Sequence, residues 1–76
     1  MKTKEIFCTR LKGLRKENKL TQSDVGAALN VPKQYISRWE KGEQEPNLTT
    51  LYQLASYYGC SLDYLLGLSE SRERLP

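Results

Sequence analysis

Apolar residues recur along the sequence at the three- and four-residue spacing of helices, and no segment alternates strictly in the manner of a half-buried strand. The first apolar stripe consists of Phe7, Leu11 and Leu14, at positions i, i+4 and i+7. This stripe predicts a helix from about Lys4 to Asn18. The pattern as a whole indicates an all-α chain.

The second helix is predicted to begin at Thr21, because the spacing from Thr21 to Asp24 is that of a capping box. Asn30 tolerates the left-handed conformation that often ends a helix. Pro32 then suits the start of the next helix, since proline fixes φ. The buried stripe of the second helix is expected to consist of Val25, Ala28 and Leu29.

Three further helices complete the predicted fold: one from about Lys33 to Lys41, one capped by Asn47, and a short one from Leu62 to Leu66 capped by Ser61. A glycine follows each of them, namely Gly42, Gly59 and Gly67. The apolar face of the fourth helix is expected to hold Leu48, Leu51, Leu54, Ala55 and Tyr58. The predicted fold class is therefore all-α, a compact five-helix domain over residues 4–67 followed by a flexible C-terminal tail, 68–76.

Length and net charge limit the classes of function that this chain can have. The 76 residues suffice for one small domain, and a chain of this size buries only about 60% of its unfolded surface. Twelve Lys and Arg against nine Asp and Glu leave a net charge of +3, which is compatible with nucleic-acid binding without requiring it. No segment has the apolar core of a signal peptide or the length of a membrane span, so a cytoplasmic protein is expected.

Cys8 and Cys60 are the only cysteines, and the sequence has no histidine. Two cysteines cannot complete a structural zinc site without further nitrogen or sulfur donors, so no metal and no cofactor are expected. Both cysteines are interpreted as small buried apolar residues, with a disulfide as the alternative. The sequence also lacks a nucleophile–base pair, which argues against an enzyme and assigns no catalytic residue.

The third helix has two chemically distinct sides at about 100° per residue. Ile36, Trp39 and Glu40 cluster on one side, which must pack on the domain. The polar side chains opposite must then face outward, and they are of the types that read bases in a major groove. On this helix alone the pattern favours an ordinary solvated face. The outward set consists of Gln34, Ser37, Arg38 and Lys41.

An ordered set of residues over about 6–67 resembles the Cro/phage-repressor (XRE) helix-turn-helix family of DNA-binding domains. No single piece is diagnostic, but the set at these spacings is a strong signal. It consists of Leu14-Arg15, Leu20-Thr21-Gln22, Val25, Leu29, Val31, Ile36-Ser37-Arg38-Trp39-Glu40, Gly42, Pro46, Leu51 and Leu54-Ala55.

The chain departs from the family pattern at several positions. Gly26 replaces the usual alanine, which either costs about 1 kcal/mol of helix propensity or permits closer packing on the third helix. Asn30 replaces the usual turn glycine, and Pro32 stands where a Ser or Thr cap is common. Glu43 and Glu45 lie in a loop that is often basic in the family, so phosphate contact there is expected to be weak.

The resemblance implies that the third helix, residues 33–41, reads the major groove. The residues expected to read bases are Lys33, Gln34, Tyr35, Ser37 and Arg38. Tyr35 is expected to touch a thymine methyl or a phosphate, or else to cover Pro32. Free N–H groups and the positive dipole end at the start of the second helix suit a phosphate. The expected phosphate contacts are Gln22, Ser23 and Lys41. Arg15 and Glu40 are implied to form a structural pair between the first and third helices.

The resemblance implies that the chain is a sequence-specific regulator of transcription that binds double-stranded DNA. It is expected to be a repressor and to act in the bacterial cytoplasm or nucleoid. A homodimer on a pseudo-palindromic operator is expected. The surface nominated for pairing consists of Tyr57, Tyr58, Leu62, Tyr64 and Leu65, although these residues have an equal alternative role in closing the fifth helix onto the core. The alternative function is an antitoxin or adaptor that binds a protein partner, with the tail as the place to look.

Overall fold

The computed structural model describes residues 3–73, and the all-α prediction is confirmed. Helices α1, α3 and α5 begin and end within one residue of the predicted bounds. No strand occurs within the described residues. The helices are α1 (Thr3–Glu17), α2 (Gln22–Leu29), α3 (Lys33–Lys41), α4 (Leu48–Tyr58) and α5 (Leu62–Leu65).

One hydrophobic core joins all five helices. Cys60 lies in it, as predicted, whereas Cys8 is only half-buried and its Sγ atom lies beneath the end of α3, 3.2 Å from where a Cβ on Gly42 would be. Burial raises the pKa of the Cys8 thiol. No disulfide joins Cys8 and Cys60, so the disulfide alternative is wrong. The core residues are Phe7, Leu11, Leu14, Val25, Ile36, Trp39, Leu54, Ala55, Cys60 and Leu65.

The predicted helix ends form with the expected chemistry. The backbone N–H of Asp24 donates to Thr21 Oγ1 at 3.0 Å, and the Thr21 N–H donates to Asp24 Oδ2 at 2.8 Å, which completes the capping box. Asn30 adopts the left-handed conformation with φ 60°. The side chains of Asn47 and Ser61 cap α4 and α5. Local sequence therefore determines where these helices start and stop.

Gly26 is buried where α2 meets the turn before α3. A Cβ at this position would lie 2.7 Å from the backbone oxygen of Val31 and 3.4 Å from the backbone of Lys33. Of the two interpretations of this glycine, close packing is the one that the structure supports. The absent side chain allows α2 to approach the turn and the start of α3.

Two residues expected in the core are exposed instead. The buried side of α2 consists of Val25, Gly26 and the half-buried Leu29, and Ala28 lies about 100° around the helix from the centre of that set. Leu48 is 77% exposed. It is the first residue of α4, where the Cα–Cβ bond tilts toward the helix N-terminus and thus away from the core.

Residues 68–73 lie against α1 and α5, although the sequence predicted a flexible tail there. The Ser61 backbone N–H donates to the carbonyl of Arg72 at 3.0 Å, and the Arg10 guanidinium donates to the carbonyl of Ser69 at 2.8 Å. Residues 74–76 of the predicted tail lie outside the described residues. No described helix has the length and hydropathy needed to cross a membrane.

Candidate nucleic-acid interface

The outward side of α3 presents hydrogen-bonding and cationic groups, while its inward side is locked into the core. Ile36 and Trp39 are 1% and 3% exposed. Ser37, on the outward side, is half-buried. The exposed residues at the start of α3 and on its outward side are Lys33, Gln34, Arg38 and Lys41. The segregation predicted from helical spacing therefore exists in the folded domain.

Tyr35 lies between the two sides of α3. Its ring meets Trp39 edge-to-face with centroids 6.3 Å apart, and the guanidinium carbon of Arg38 lies 5.9 Å from its centroid. The ring is 40% exposed. Tyr35 thus shields the edge of the core tryptophan and supports the Arg38 side chain, and it leaves part of its ring available to a ligand.

The orientation of α3 is held by a bidentate ion pair. Arg15 Nε lies 2.7 Å from Glu40 Oε2, and Arg15 Nη2 lies 3.0 Å from Glu40 Oε1. Arg15 Nη1 also donates to the carbonyl of Leu20 at 2.9 Å. The Arg15 and Glu40 side chains are 12% and 3% exposed, so solvent screens the pair little. Hydrogen bonding to Glu40 raises the pKa of Arg15.

Gln22 extends this ion pair to the start of α2. Its Nε2 donates to Glu40 Oε1 at 3.2 Å, a contact that the sequence did not indicate. The capping box uses the N–H of Asp24, and the Val25 N–H donates to the carbonyl of Thr21. The N–H groups of Gln22 and Ser23 belong to the first turn, where no partner exists within a helix. Ser23 itself is exposed.

Tyr58, on α4, also faces the ion pair. Burial and the negative charge of Glu40 together raise the pKa of the Tyr58 hydroxyl well above its usual value. The hydroxyl is therefore neutral at physiological pH. Sequence analysis placed Tyr58 on the inward face of its helix but gave no signal that it approaches Arg15 and Glu40.

Negative charge follows immediately after α3. Gly42 ends the helix with φ 78°, and the Glu43 N–H donates to the carbonyl of Arg38 at 2.9 Å. Glu43 and Glu45 are both exposed. The charged residues on the outward side of α3 are all cations, so Glu43 and Glu45 place negative charge just beyond a positively charged surface.

Among residues 3–73 no group of three or more His, Cys, Asp or Glu side chains could hold a metal ion. The exposed α3 side chains offer amide, guanidinium and ammonium donors, which match the acceptors on guanine and adenine and the oxygens of phosphate. The side chains of this surface are therefore suited to recognition by hydrogen bonds and charge.

Comparison with known proteins is in line with this chemistry. A family model described as "Helix-turn-helix" matches residues 11–65. The chain is 35% identical over 65 residues to the uncharacterized HTH-type transcriptional regulator YobD of Bacillus subtilis, covering 86% of this chain and 58% of YobD. It is 35% identical over 66 residues to the cryptic phage CTXphi transcriptional repressor RstR of Vibrio cholerae, covering 87% of this chain and 60% of RstR.

A third relative is repressor protein C2 of Salmonella phage P22, with 40% identity over 62 residues, 82% of this chain and 29% of C2. The chain spans less than two thirds of the length of each of these three relatives. The matched residues include α2, the turn and α3, which carry the exposed surface described above.

Proposed function

The chain belongs to the helix-turn-helix family, as the resemblance in its sequence predicted, and we propose that it is a sequence-specific transcriptional regulator that binds double-stranded DNA and represses. One observation carries the proposal. The inward side of α3 is fixed by Trp39 and by the Arg15–Glu40 pair, and the opposite side presents exposed side chains of the types that can read bases. The repressor names of RstR and C2 support repression rather than activation.

Base recognition is assigned to the outward side of α3. Arg38 suits the O6 and N7 atoms of guanine, and Gln34 suits the N6 and N7 atoms of adenine. Tyr35 supports Arg38 and keeps an exposed edge for a thymine methyl group. Lys33 and Ser37 complete the proposed set, because they lie on the same helix at its start and middle.

Phosphate contact is assigned to the start of α2 and the end of α3. Gln22 Nε2 carries two hydrogens, and only one is needed for Glu40, so the other is free to donate to a phosphate. Ser23 contributes its exposed hydroxyl and its first-turn N–H. Lys41, at the exposed C-terminal end of α3, is assigned the role of a positive charge near the phosphate backbone of the DNA.

We propose that the regulator binds a pseudo-palindromic operator as a homodimer, because two half-sites about 34–36 Å apart match the two-fold symmetry of a dimer. Of the residues nominated for pairing, Leu65 is fully buried in the core and does not contribute. Tyr57 is 39% exposed, and Tyr58, Leu62 and Tyr64 are half-buried. A DNA-binding regulator of this kind is expected to act in the bacterial cytoplasm, and the proposal requires no cofactor.

The proposal is tested by titrating the full chain into a labelled duplex from its own upstream region and into a scrambled duplex of equal composition. Tighter binding to the upstream duplex is expected. Affinity should fall steeply with salt, because each neutralised phosphate contributes about −0.9 to the slope of log K against log salt. Equal affinity for both duplexes contradicts the proposal, and so does an affinity that does not fall between low and physiological salt.

A further inference from the structure

The Arg38 side chain lies toward the start of α3, over the ring of Tyr35. Long side chains of a helix lean toward its N-terminus and cover the residues three and four positions earlier, which for Arg38 are Tyr35 and Gln34. The guanidinium carbon of Arg38 lies 5.9 Å from the centroid of the Tyr35 ring, within the range of a cation–π contact. The start of such a helix is the part that meets base edges in the major groove. The ring therefore contacts the guanidinium toward the end of α3 where base recognition is proposed.

The Tyr35 ring is itself held on the core. It meets the Trp39 ring edge-to-face, with the ring planes at 74° and the centroids 6.3 Å apart. Trp39 is 3% exposed and belongs to the hydrophobic core. The backbone N–H of Tyr35 donates to the carbonyl of Pro32 at 3.0 Å, which fixes the first turn of α3. Contacts therefore run from the core through Trp39 and Tyr35 to Arg38.

Arg38 is supported differently from the arginines that pair with carboxylates. The guanidinium groups of Arg10, Arg15 and Arg72 each form an ion pair. Within residues 3–73 the exposed Arg38 forms no such pair. A carboxylate partner would occupy N–H groups that a base needs. An aromatic ring attracts the guanidinium through its π electrons instead, so that the N–H donors remain free for a base.

Order in the free domain affects how well an arginine recognises a base. An exposed arginine has a large rotamer entropy, and fixing its side chain on a base costs affinity. A side chain that is restricted before DNA binds loses less of this entropy. The contact with the Tyr35 ring supplies such a restriction for Arg38, the side chain that is proposed to read guanine.

We propose that Tyr35 is a positioning residue for Arg38. Its ring orders the guanidinium before DNA binds, and Tyr35 thereby determines how strongly the domain discriminates at the base pair that Arg38 reads. The inference rests on the proposed function and deepens it, because it makes Tyr35 and Arg38 a coupled unit instead of two independent base readers. The role needs the aromatic ring and does not need the hydroxyl.

The test measures the coupling between the two residues in a double-mutant cycle. The full chain, Tyr35→Leu, Arg38→Ala and the double variant are titrated into the labelled duplex from the upstream region. Tyr35→Leu should weaken binding about two- to fivefold when Arg38 is present, the fold-change that an exposed cation–π contact is worth, and by a smaller factor in the Arg38→Ala background. Tyr35→Phe keeps the ring and should bind as wild type does. An equal loss from Tyr35→Leu in both backgrounds overturns the proposal.

The base pair at which preference is lost gives a second criterion. Arg38→Ala identifies the base pair of the upstream duplex whose substitution no longer changes affinity, and Tyr35→Leu should relax preference at that same base pair. Relaxation only at a different base pair overturns the proposal, because Tyr35 then reads a base by itself. Tyr52→Leu is the matched control, since Tyr52 is a 58% exposed tyrosine of α4 whose ring contacts no other ring and no cation within residues 3–73. It should leave affinity and preference unchanged.

Order of the Arg38 side chain is measured without DNA. The heteronuclear NOE of the Arg38 Nε–H group reports motion on the picosecond to nanosecond timescale. It should be higher in wild type and Tyr35→Phe than in Tyr35→Leu, and thermal unfolding shows whether each variant is folded. Equal NOE values in the three folded proteins overturn the proposal. A chain in which Tyr35 orders Arg38 but which binds upstream and scrambled duplexes equally overturns the proposed function alone.

Discussion

Arg15 and Glu40 join α1 to α3 through two parallel hydrogen bonds of 2.7 and 3.0 Å, in a site where the Glu40 side chain is only 3% exposed. Gln22 adds a third donor to the same carboxylate from the start of α2. Arg15, Glu40 and Gln22 therefore connect α1, α2 and α3 on the inward side of α3. We expect the pair to position that helix, and the buried Glu40 carboxylate to make no direct contact with DNA.

Glu40→Gln should destabilise the fold before it changes sequence preference. Leaving one partner of a buried pair unmatched costs about 3–5 kcal/mol. Thermal and urea unfolding should show this loss, and binding at a temperature where the variant remains folded should retain the order of preferred duplexes. Glu43→Gln, an exposed residue just beyond α3, should be nearly neutral to stability. Unchanged stability of Glu40→Gln with altered sequence preference contradicts the positioning role.

Two glycines should respond to alanine with opposite signs. At Gly26 the new Cβ would lie 2.7 Å from the Val31 backbone oxygen, so overpacking should cost about 1–3 kcal/mol. At Gly13, inside α1, a Cβ meets nothing within 4 Å, so Gly13→Ala should stabilise by about 1 kcal/mol. Urea unfolding of both variants gives the comparison. A stabilised Gly26→Ala would show that α2 and the turn are less closely packed than described.

The capping box should make stability depend on pH in the acid range. Hydrogen bonds from Thr21 lower the pKa of Asp24 below its ordinary value of 3.8. A lowered folded-state pKa gives stability that is fully present above the unfolded value and is lost as pH falls through the folded value. The stability difference between wild type and Asp24→Ala should therefore be constant from pH 7 to 5 and shrink below about pH 4. A difference independent of pH contradicts an ionised cap.

Much of the fold follows from features that are local in sequence. The caps at Thr21, Asn47 and Ser61 and the left-handed Asn30 depend on a few neighbouring residues, and periodicity alone separated the two sides of α3. The prediction that Leu48 is buried is wrong, because periodicity does not show that the first turn of α4 extends beyond the helices that pack against it.

The parts of the site and surface that sequence analysis missed are contacts between distant segments. The Arg10 guanidinium approaches the Tyr64 ring and Glu70 across more than fifty residues of chain, and Gln22 reaches Glu40 across eighteen. Nothing in the spacing of these residues signals such a meeting. Arg15 and Glu40 were assigned in advance only because the family resemblance implied the pair.

The outward side of α3 gives the sharpest test of base recognition, because Gln34 and Arg38 lie one helical turn apart and both are exposed. Truncating either to alanine should cost about 1–3 kcal/mol on the cognate duplex. On a scrambled duplex the loss should be smaller for Gln34→Ala than for Arg38→Ala, since the arginine charge also attracts phosphate.

Lys41→Ala should weaken binding to both duplexes alike and reduce the salt slope by about one. Lys12→Ala, on α1, is the matched loss of an exposed charge and should leave cognate preference unchanged. Anisotropy titrations of the four variants on both duplexes, at two salt concentrations, measure all of these quantities. Equal losses on cognate and scrambled DNA for both Gln34→Ala and Arg38→Ala would move base recognition to other residues of the domain.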